Sequence, residues 1–256
     1  MKLNGKRVWI TGASSGIGEA LAKELGSKGA HCFLTARNAD KLNQIVSEII
    51  QSGGKAEVFT GDVTDLELMK QIALEITKEA PLDILIANAG THLFTKPEHF
   101  NSAEYLSIMN LNWGGMLHCI ESVLPQMIEK KSGRIVGVAS LAGFRGLPRA
   151  GAYGASKAAM IHFLESIRFH LEKYNVGVTI VNPGFVKTPL TDKNDFKMPF
   201  LTDAKDAARI ICRGLEKKRD EISFPFPFHI VLKLMRIIPY SIYQWIIKRV
   251  WVTENG

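Results

Sequence analysis

Arg7-Val8-Trp9-Ile10-Thr11-Gly12-Ala13-Ser14-Ser15-Gly16-Ile17-Gly18 decides the reading of this chain. An apolar, β-compatible run over Arg7–Thr11 breaks into three glycines, and a helical pattern follows over Ile17–Gly26. Glycine lets backbone turn tightly and come close to a ligand, and a helix N-terminus favours negative charge. The spacing Gly-x-x-x-Gly-x-Gly differs from the general dinucleotide fingerprint, but its place between a first strand and a first helix suits a pyrophosphate.

Outward from this turn the same alternation repeats. Strands are predicted over His31–Thr35, Ala56–Thr60, Ile84–Ala87, Ile135–Ala139 and Gly177–Val181. Helices are predicted over Lys41–Gln51, Leu66–Glu79, Asn101–Lys130 and Tyr153–Tyr174. Such alternation builds an α/β fold, a doubly wound parallel sheet of the Rossmann type in a single domain. Ligands of such sheets bind at the carboxyl ends of the strands. Gly12–Gly18, Ala36-Arg37, Asp62, Asn88-Ala89-Gly90, Ser140 and Pro183-Gly184 all fall there.

The second strand ends in Ala36-Arg37, where NAD-binding proteins carry an acidic residue for the ribose hydroxyls. A carboxylate repels a 2′-phosphate, whereas a guanidinium pairs with it bidentately. The expected cofactor is therefore NADP(H) rather than NAD(H); the bland alternative is that Arg37 is a solvated loop residue.

Composition sets the outer bounds. With 256 residues, 46% hydrophobic and 22% charged, the chain suits one globular domain. The net charge of +7 favours acidic partners, but the cations form no dense tract and no aromatic-plus-basic module, so nucleic acid is not expected. Three scattered cysteines suggest neither disulfides nor zinc, and the seven histidines form no ligand-spaced group, so no metal is expected. Met1–Arg7 lacks a signal-peptide pattern, and a cytoplasmic protein is expected.

Tyr153-Gly154-Ala155-Ser156-Lys157 puts a phenol and an ammonium at i and i+4, on one helix face. A free phenol is too weak an acid to serve as a base near neutrality, and adjacent positive charge favours its phenolate. Alone, the pair reads as an ordinary helix face. With Ser140 at a strand end thirteen residues earlier, it reads as an acid/base site.

Together these motifs resemble the short-chain dehydrogenase/reductase family. The resemblance rests on Thr11–Gly18, Asn88-Ala89-Gly90, Ser140, Tyr153 with Lys157, and Pro183-Gly184, in order over roughly residues 5 to 190. It implies hydride transfer between a nicotinamide and a carbonyl or alcohol carbon. Tyr153 would be the acid/base, Lys157 would lower its pKa and hold the ribose hydroxyls, and Ser140 would bind the substrate oxygen. Asn112 matches the family's helix asparagine that holds a proton-relay water, with Asn110 as competitor for that place. Ser14, Ser15, Gly16, Ile17 and Gly18 would cradle the pyrophosphate. Asp62 and Val63 match the adenine contact, and Val186 and Thr188 lie where the carboxamide binds. Two alternatives stay open: an NAD-dependent alcohol dehydrogenase, and a non-catalytic dinucleotide sensor. The resemblance implies a homodimer through the helices carrying Asn112 and Tyr153. A homotetramer is the second possibility, although the Val-Asp-Gly-Gly-like segment that helps build it is absent.

Residues 1–224 form the expected catalytic domain, ending in a strand over Glu221–Phe224, and 225–256 form an extension. Lys233, Arg236, Pro239 and Lys248-Arg249 interrupt its apolar run, which excludes a spanning helix. Read as two helices broken at Pro239, the extension carries His229, Lys233 and Arg236 on one face, then Ser241, Gln244 and Lys248 on another. Such stripes suit the catalytic domain, a partner subunit or the surface of an anionic membrane. Leu93, Phe144, Leu147, Phe185, Met198 and Phe200 are the expected pocket residues, with Arg145 and Arg149 nearby. Their apolar character points to a lipophilic ketone or alcohol, such as a steroid, a long-chain carbonyl or a sphingoid-type precursor.

Overall fold

The computed structural model describes residues 1–93, 97–194, 196 and 198–255; of Pro97, Lys193 and residues 250–255 only the backbone is described. Gly256 therefore lies outside the described residues, as does the side chain of Trp251.

The first half runs β1 (Arg7–Thr11), α1 (Gly16–Ser27), β2 (His31–Ala36), α2 (Ala39–Gln51), β3 (Lys55–Thr60), α3 (Leu66–Thr77) and β4 (Ile84–Ala87). Next come α4 (Ser102–Met109), α5 (Gly115–Glu129), β5 (Gly133–Val138), α6 (Gly151–Leu171) and β6 (Val176–Pro183). The chain closes with short β7 (Val186–Lys187) and β8 (Thr202–Asp203), then α7 (Ala204–Glu216), β9 (Glu221–Phe224), α8 (Phe226–Ile237) and α9 (Tyr240–Asn255).

Seven strands form one parallel sheet in the order β3-β2-β1-β4-β5-β6-β9. The order reverses between β1 and β4, so a crevice opens at their carboxyl ends. Both faces are covered. Val8 and Ile10 point into a core shared with α1, α2 and α7, while Trp9 between them points into the core of α3, α5 and α6. This period of two, with both sides apolar, explains why the strands read as continuous hydrophobic runs. The Trp9 indole donates to Thr35 Oγ1 at 2.8 Å, which satisfies the one polar atom of a fully buried ring. Local chemistry sets the helix starts: Asn38 and Asp65 accept from the Lys41 and Leu68 amides at 3.0 Å.

The predicted helix over Asn101–Lys130 is interrupted. A π turn over Asn110–Gly114 separates α4 from α5. Its extra residue turns Asn112 into the protein, fully buried, and leaves Asn110 exposed. The extension forms two helices parted at Pro239, as its sequence suggests.

Leu85 is fully buried in β4, whereas Leu74 on α3 is largely exposed. In urea denaturation, Leu85→Ala is expected to cost about 2–5 kcal/mol and Leu74→Ala less than about 0.5 kcal/mol. Equal losses at the two positions would contradict this packing.

Candidate active site

A cavity of about 360 Å³ lies along the carboxyl edge of the sheet. It is lined by Gly12, Ser14, Ser15, Gly16 and Ile17 from the first turn, and by Arg37, Asp62 and Val63 beyond β2 and β3. Asn88, Ala89 and Gly90 follow β4; Pro183, Gly184, Val186 and Thr188 close the other side, and Ser140, Tyr153 and Lys157 stand at its inner end. Ala36 lines it as well, and so do Asn38, Thr91, Leu190 and Thr191, which the motifs do not mark.

Gly12 has φ of +64°, and a Cβ there would lie 2.7 Å from the Ala89 backbone, so the turn and the end of β4 meet as bare main chain. Thr11 Oγ1 fastens them, accepting from the Asn88 and Ala89 amides at 3.2 Å, while Asn88 Nδ2 donates to the Thr11 carbonyl at 3.0 Å. Gly18 differs from the sequence expectation. It does not line the cavity; a side chain there would strike the Gly12 carbonyl and the Asn88 amide, so its task is helix-to-turn packing.

A turn cradle of this kind, open at the α1 N-terminus and continuous with Ser140, Tyr153 and Lys157, fits a nicotinamide dinucleotide. Ser14, Ser15, Gly16 and Ile17 would hold its pyrophosphate, and Asp62 and Val63 the adenine end. Arg37 is exposed and lies 3.7 Å from Asp62. Burial alone would push the Asp62 carboxyl up, but bonds from Thr64 and the Arg37 charge hold it below the usual range. Thr188 shares its hydroxyl with Thr191 at 3.3 Å.

Lys157 is buried, and its ammonium donates to the Val138 carbonyl at 2.9 Å. Burial pushes its pKa down to about 8. The ammonium lies 5.7 Å from the Tyr153 ring centroid. Burial raises the Tyr153 phenol above its ordinary value, and a hydrogen bond with Ser140 opposes that rise. Asn112 reaches none of these groups directly. Its amide donates to the Thr91 carbonyl at 3.0 Å and Ser156 Oγ at 2.9 Å, and its oxygen accepts from the Thr91 amide at 2.7 Å. Ser156 in turn donates to the Tyr153 carbonyl at 2.7 Å. Asn112 thus links the end of β4 to the helix that bears the tyrosine.

A second cavity, of about 330 Å³, opens from the same point and shares Ser140, Tyr153 and Gly184 with the first. Phe185 and Leu147 line it as expected. Phe144 does not: it is buried in the core beside Leu141, because the 3-10 turn over Leu141–Gly143 directs its ring inward. Leu93 and Phe200 are exposed, and neither they nor Met198 line the cavity. Sequence reasoning missed His92, whose ring lies 4.7 Å from that of Tyr153. Its only signal was its place two residues after Asn88-Ala89-Gly90. It also missed Phe228, Leu232, Met235 and Ile247, which bring the extension to the cavity.

Comparison with known proteins agrees with this geometry. Residues 6–198 match the short chain dehydrogenase family. An uncharacterized oxidoreductase of Myxococcus xanthus (strain DK1622) is 36% identical over 236 residues, covering 92% of this chain and 93% of its own. A metagenomic short-chain oxidoreductase solved in complex with NADP superposes with a TM-score of 0.75 at 28% identity, over 87% of this chain and 97% of that one. A short-chain dehydrogenase/reductase from Burkholderia phymatum in complex with NAD gives a TM-score of 0.82 over 92% and 94%; at 22% identity that likeness is one of fold.

The buried lysine has a measurable signature. Below about pH 8 both folded and unfolded chains carry its proton, and the folded chain bears the full desolvation cost. Between about 8 and 10.5 only the unfolded chain remains protonated, so this group's effect on stability becomes more favourable as pH rises. Relative to Lys157→Met, the wild-type apoprotein should therefore gain up to about 3 kcal/mol from pH 7 to pH 10.5. A difference independent of pH in urea denaturation would contradict the burial.

Proposed function

The chain belongs to the short-chain dehydrogenase family, and from that premise we propose that it is an NADP(H)-dependent carbonyl reductase for a lipophilic substrate, with Tyr153 as acid/base. As an oxidoreductase of this family it acts between CH–OH and C=O with a nicotinamide dinucleotide. One observation carries the finer reading: the cavity suited to the dinucleotide, of mixed polar and apolar lining, and a strongly apolar second cavity meet at Ser140 and Tyr153.

A nicotinamide dinucleotide held by Ser14, Ser15, Gly16 and Ile17 would supply or accept the hydride. Ser140 Oγ and the Tyr153 hydroxyl hold the substrate oxygen where negative charge develops. Tyr153 gives its proton to that oxygen in reduction and takes one in oxidation. The Lys157 ammonium favours the phenolate that reduction leaves behind, and Val138 holds it in reach. Asn112 keeps Thr91 and the Tyr153 turn in register through Ser156; a proton-relay water at this asparagine, as the resemblance implies, would sit beside the same turn. The absence of an acid at the end of β2 and the presence of Arg37 argue for NADP(H), since the 2′-phosphate can replace Asp62 as partner of the guanidinium.

Two partners complete the reading. A homodimer through the helices carrying Asn112 and Tyr153 is supported by exposed Leu106 on α4 and Phe169 on α6. Peripheral contact with an anionic membrane is supported by the outer face of the extension, where Ile230, Leu234, Ile237, Ile242 and Trp245 are exposed beside Arg236, Lys248 and Arg249. No acidic residue occurs from 225 to 253. Lys233 is instead paired with Glu221 at 2.6 Å. Among the described residues no helix is long and apolar enough to cross a membrane.

Purified protein is expected to bind NADPH at least about tenfold more tightly than NADH. With NADPH it should turn over ketones with an efficiency that rises with apolar character, and Tyr153→Phe should lower kcat by about 10²–10⁴ while still binding NADPH. Equal affinity for the two cofactors would refute the NADP(H) preference, and undiminished turnover in the variant would refute the mechanism. In flotation with anionic vesicles the full chain should rise with the lipid and a chain ending at Phe224 should not. Identical behaviour of the two would remove the membrane contact.

A further inference from the structure

The second cavity is walled on its far side by Phe228, Leu232 and Met235 of α8 and by Ile247 of α9. Leu232 packs into the core with Phe228 and Met235 against it, and the end of the wall is bonded by a side chain from the segment between Ser140 and Tyr153. Helix α8 ends at Ile237, and Pro239 lacks the amide that would otherwise bond the Met235 carbonyl one turn back. Arg145 supplies the missing donor. Its Nη1 donates to the Met235, Arg236 and Ile238 carbonyls at 3.0, 2.9 and 3.4 Å. A cation is also favoured at this helix end, where partial negative charge collects.

The same guanidinium lies 4.4 Å from the ring centroid of Tyr243 and 5.9 Å from that of Tyr240, at the start of α9. Tyr243 is buried, and its hydroxyl donates to the Gly146 carbonyl. One residue further, Leu147 begins the run through Ala150 that lines the near wall of the cavity. Of the polar ties on α8 among the described residues, the exposed Lys233–Glu221 pair is of a kind that contributes little. The near wall, the far wall and the loop leading to the catalytic tyrosine therefore converge on Arg145, which itself lines neither cavity.

We infer that Arg145 is a specificity-determining positioning residue: by seating the C-terminal end of α8 and the start of α9, it completes the apolar cavity for the part of the substrate remote from the reacting carbonyl. This rests on the proposed reading of that cavity as the substrate site. A small carbonyl occupies only the region of Ser140 and Tyr153 and is indifferent to the latch. A long apolar substrate reaches Leu232, Met235 and Ile247 and needs their seat fixed.

The test uses the full-length protein with bound NADPH, as wild type, Arg145→Ala and Arg145→Lys. Arg145→Ala is expected to raise KM for dodecan-2-one by about tenfold, leave kcat and KM for butanone unchanged, and speed amide hydrogen exchange across 226–249. Arg145→Lys keeps a cation that can reach carbonyls but loses the planar stack on Tyr243, and should fall between. Equal changes for both ketones, or an unchanged dodecan-2-one KM, would overturn the assignment. So would wild-type exchange rates in α8 and α9. Should Arg145→Ala fail to fold, Tyr243→Phe removes the Gly146 bond from the same latch and should shift exchange and the dodecan-2-one KM the same way. Wild-type protein that reduces no ketone would count against the reductase reading alone, and the exchange measurement would still decide the latch.

Discussion

The tie between Thr11 and Asn88 is the contact on which the site depends. These residues are 77 apart in sequence, and the parallel pairing of β1 with β4 brings their strand ends together. At that point the sheet reverses its order, and main chain meets main chain with no side chain between Gly12 and Ala89. A bulky residue on either side would push α1 away from β4 and close the crevice. The turn, the strand end and the first helix thus form one rigid corner, and the remaining site residues are arranged around it.

From this corner the polar network runs inward. Asn112 grips both backbone groups of Thr91, just beyond the corner, and passes the constraint through Ser156 to the turn of α6 that carries Tyr153. One residue further along the same helix, Lys157 is fixed to the Val138 carbonyl. An ammonium held away from water destabilises the fold, and burial accordingly lowers its pKa to about 8. In the proposed reaction that charge acts beside a phenol whose own burial opposes ionisation. Stability and chemistry pull against each other here, as is common where a site must hold charge in a poorly hydrated place.

The C-terminal extension adds a different constraint. A sheet of this kind leaves its carboxyl edge open, and α8 and α9 cover part of that opening with side chains from one face while presenting Ile237, Ile242 and Trp245 on the other. The outer face mixes apolar with cationic residues, so the extension is not an ordinary surface helix pair with a wholly polar wet side. Its inner residues give the second cavity its character, and its outer residues give the molecule an exposed apolar and cationic surface.

Much of this was legible in the sequence because the signals were local. The β1 run, the glycine turn, the period-two alternation at Val8, Trp9 and Ile10, and the i, i+4 spacing of Tyr153 and Lys157 depend only on neighbouring residues and on backbone geometry. They sufficed for the fold class and for the candidate cofactor and acid/base residues. What depends on distant contacts was not legible. Nothing near Asn112 announces the π turn that buries it while leaving Asn110, in the same turn, exposed, and nothing near Phe144 says that its ring enters the core instead of the pocket. Gly18 looks like part of the phosphate cradle, yet it serves packing against Asn88. Arg145, which in sequence is only a cation near a pocket, becomes the cap of a helix that begins 81 residues later. The sequence by itself determined the sheet, the turn and the placement of the candidate acid/base pair on one helix face, because propensity and periodicity are written residue by residue. Only the tertiary structure decided what walls the second cavity and which side chain caps α8 beside it, because burial and capping are properties of segments that meet only after the chain has folded.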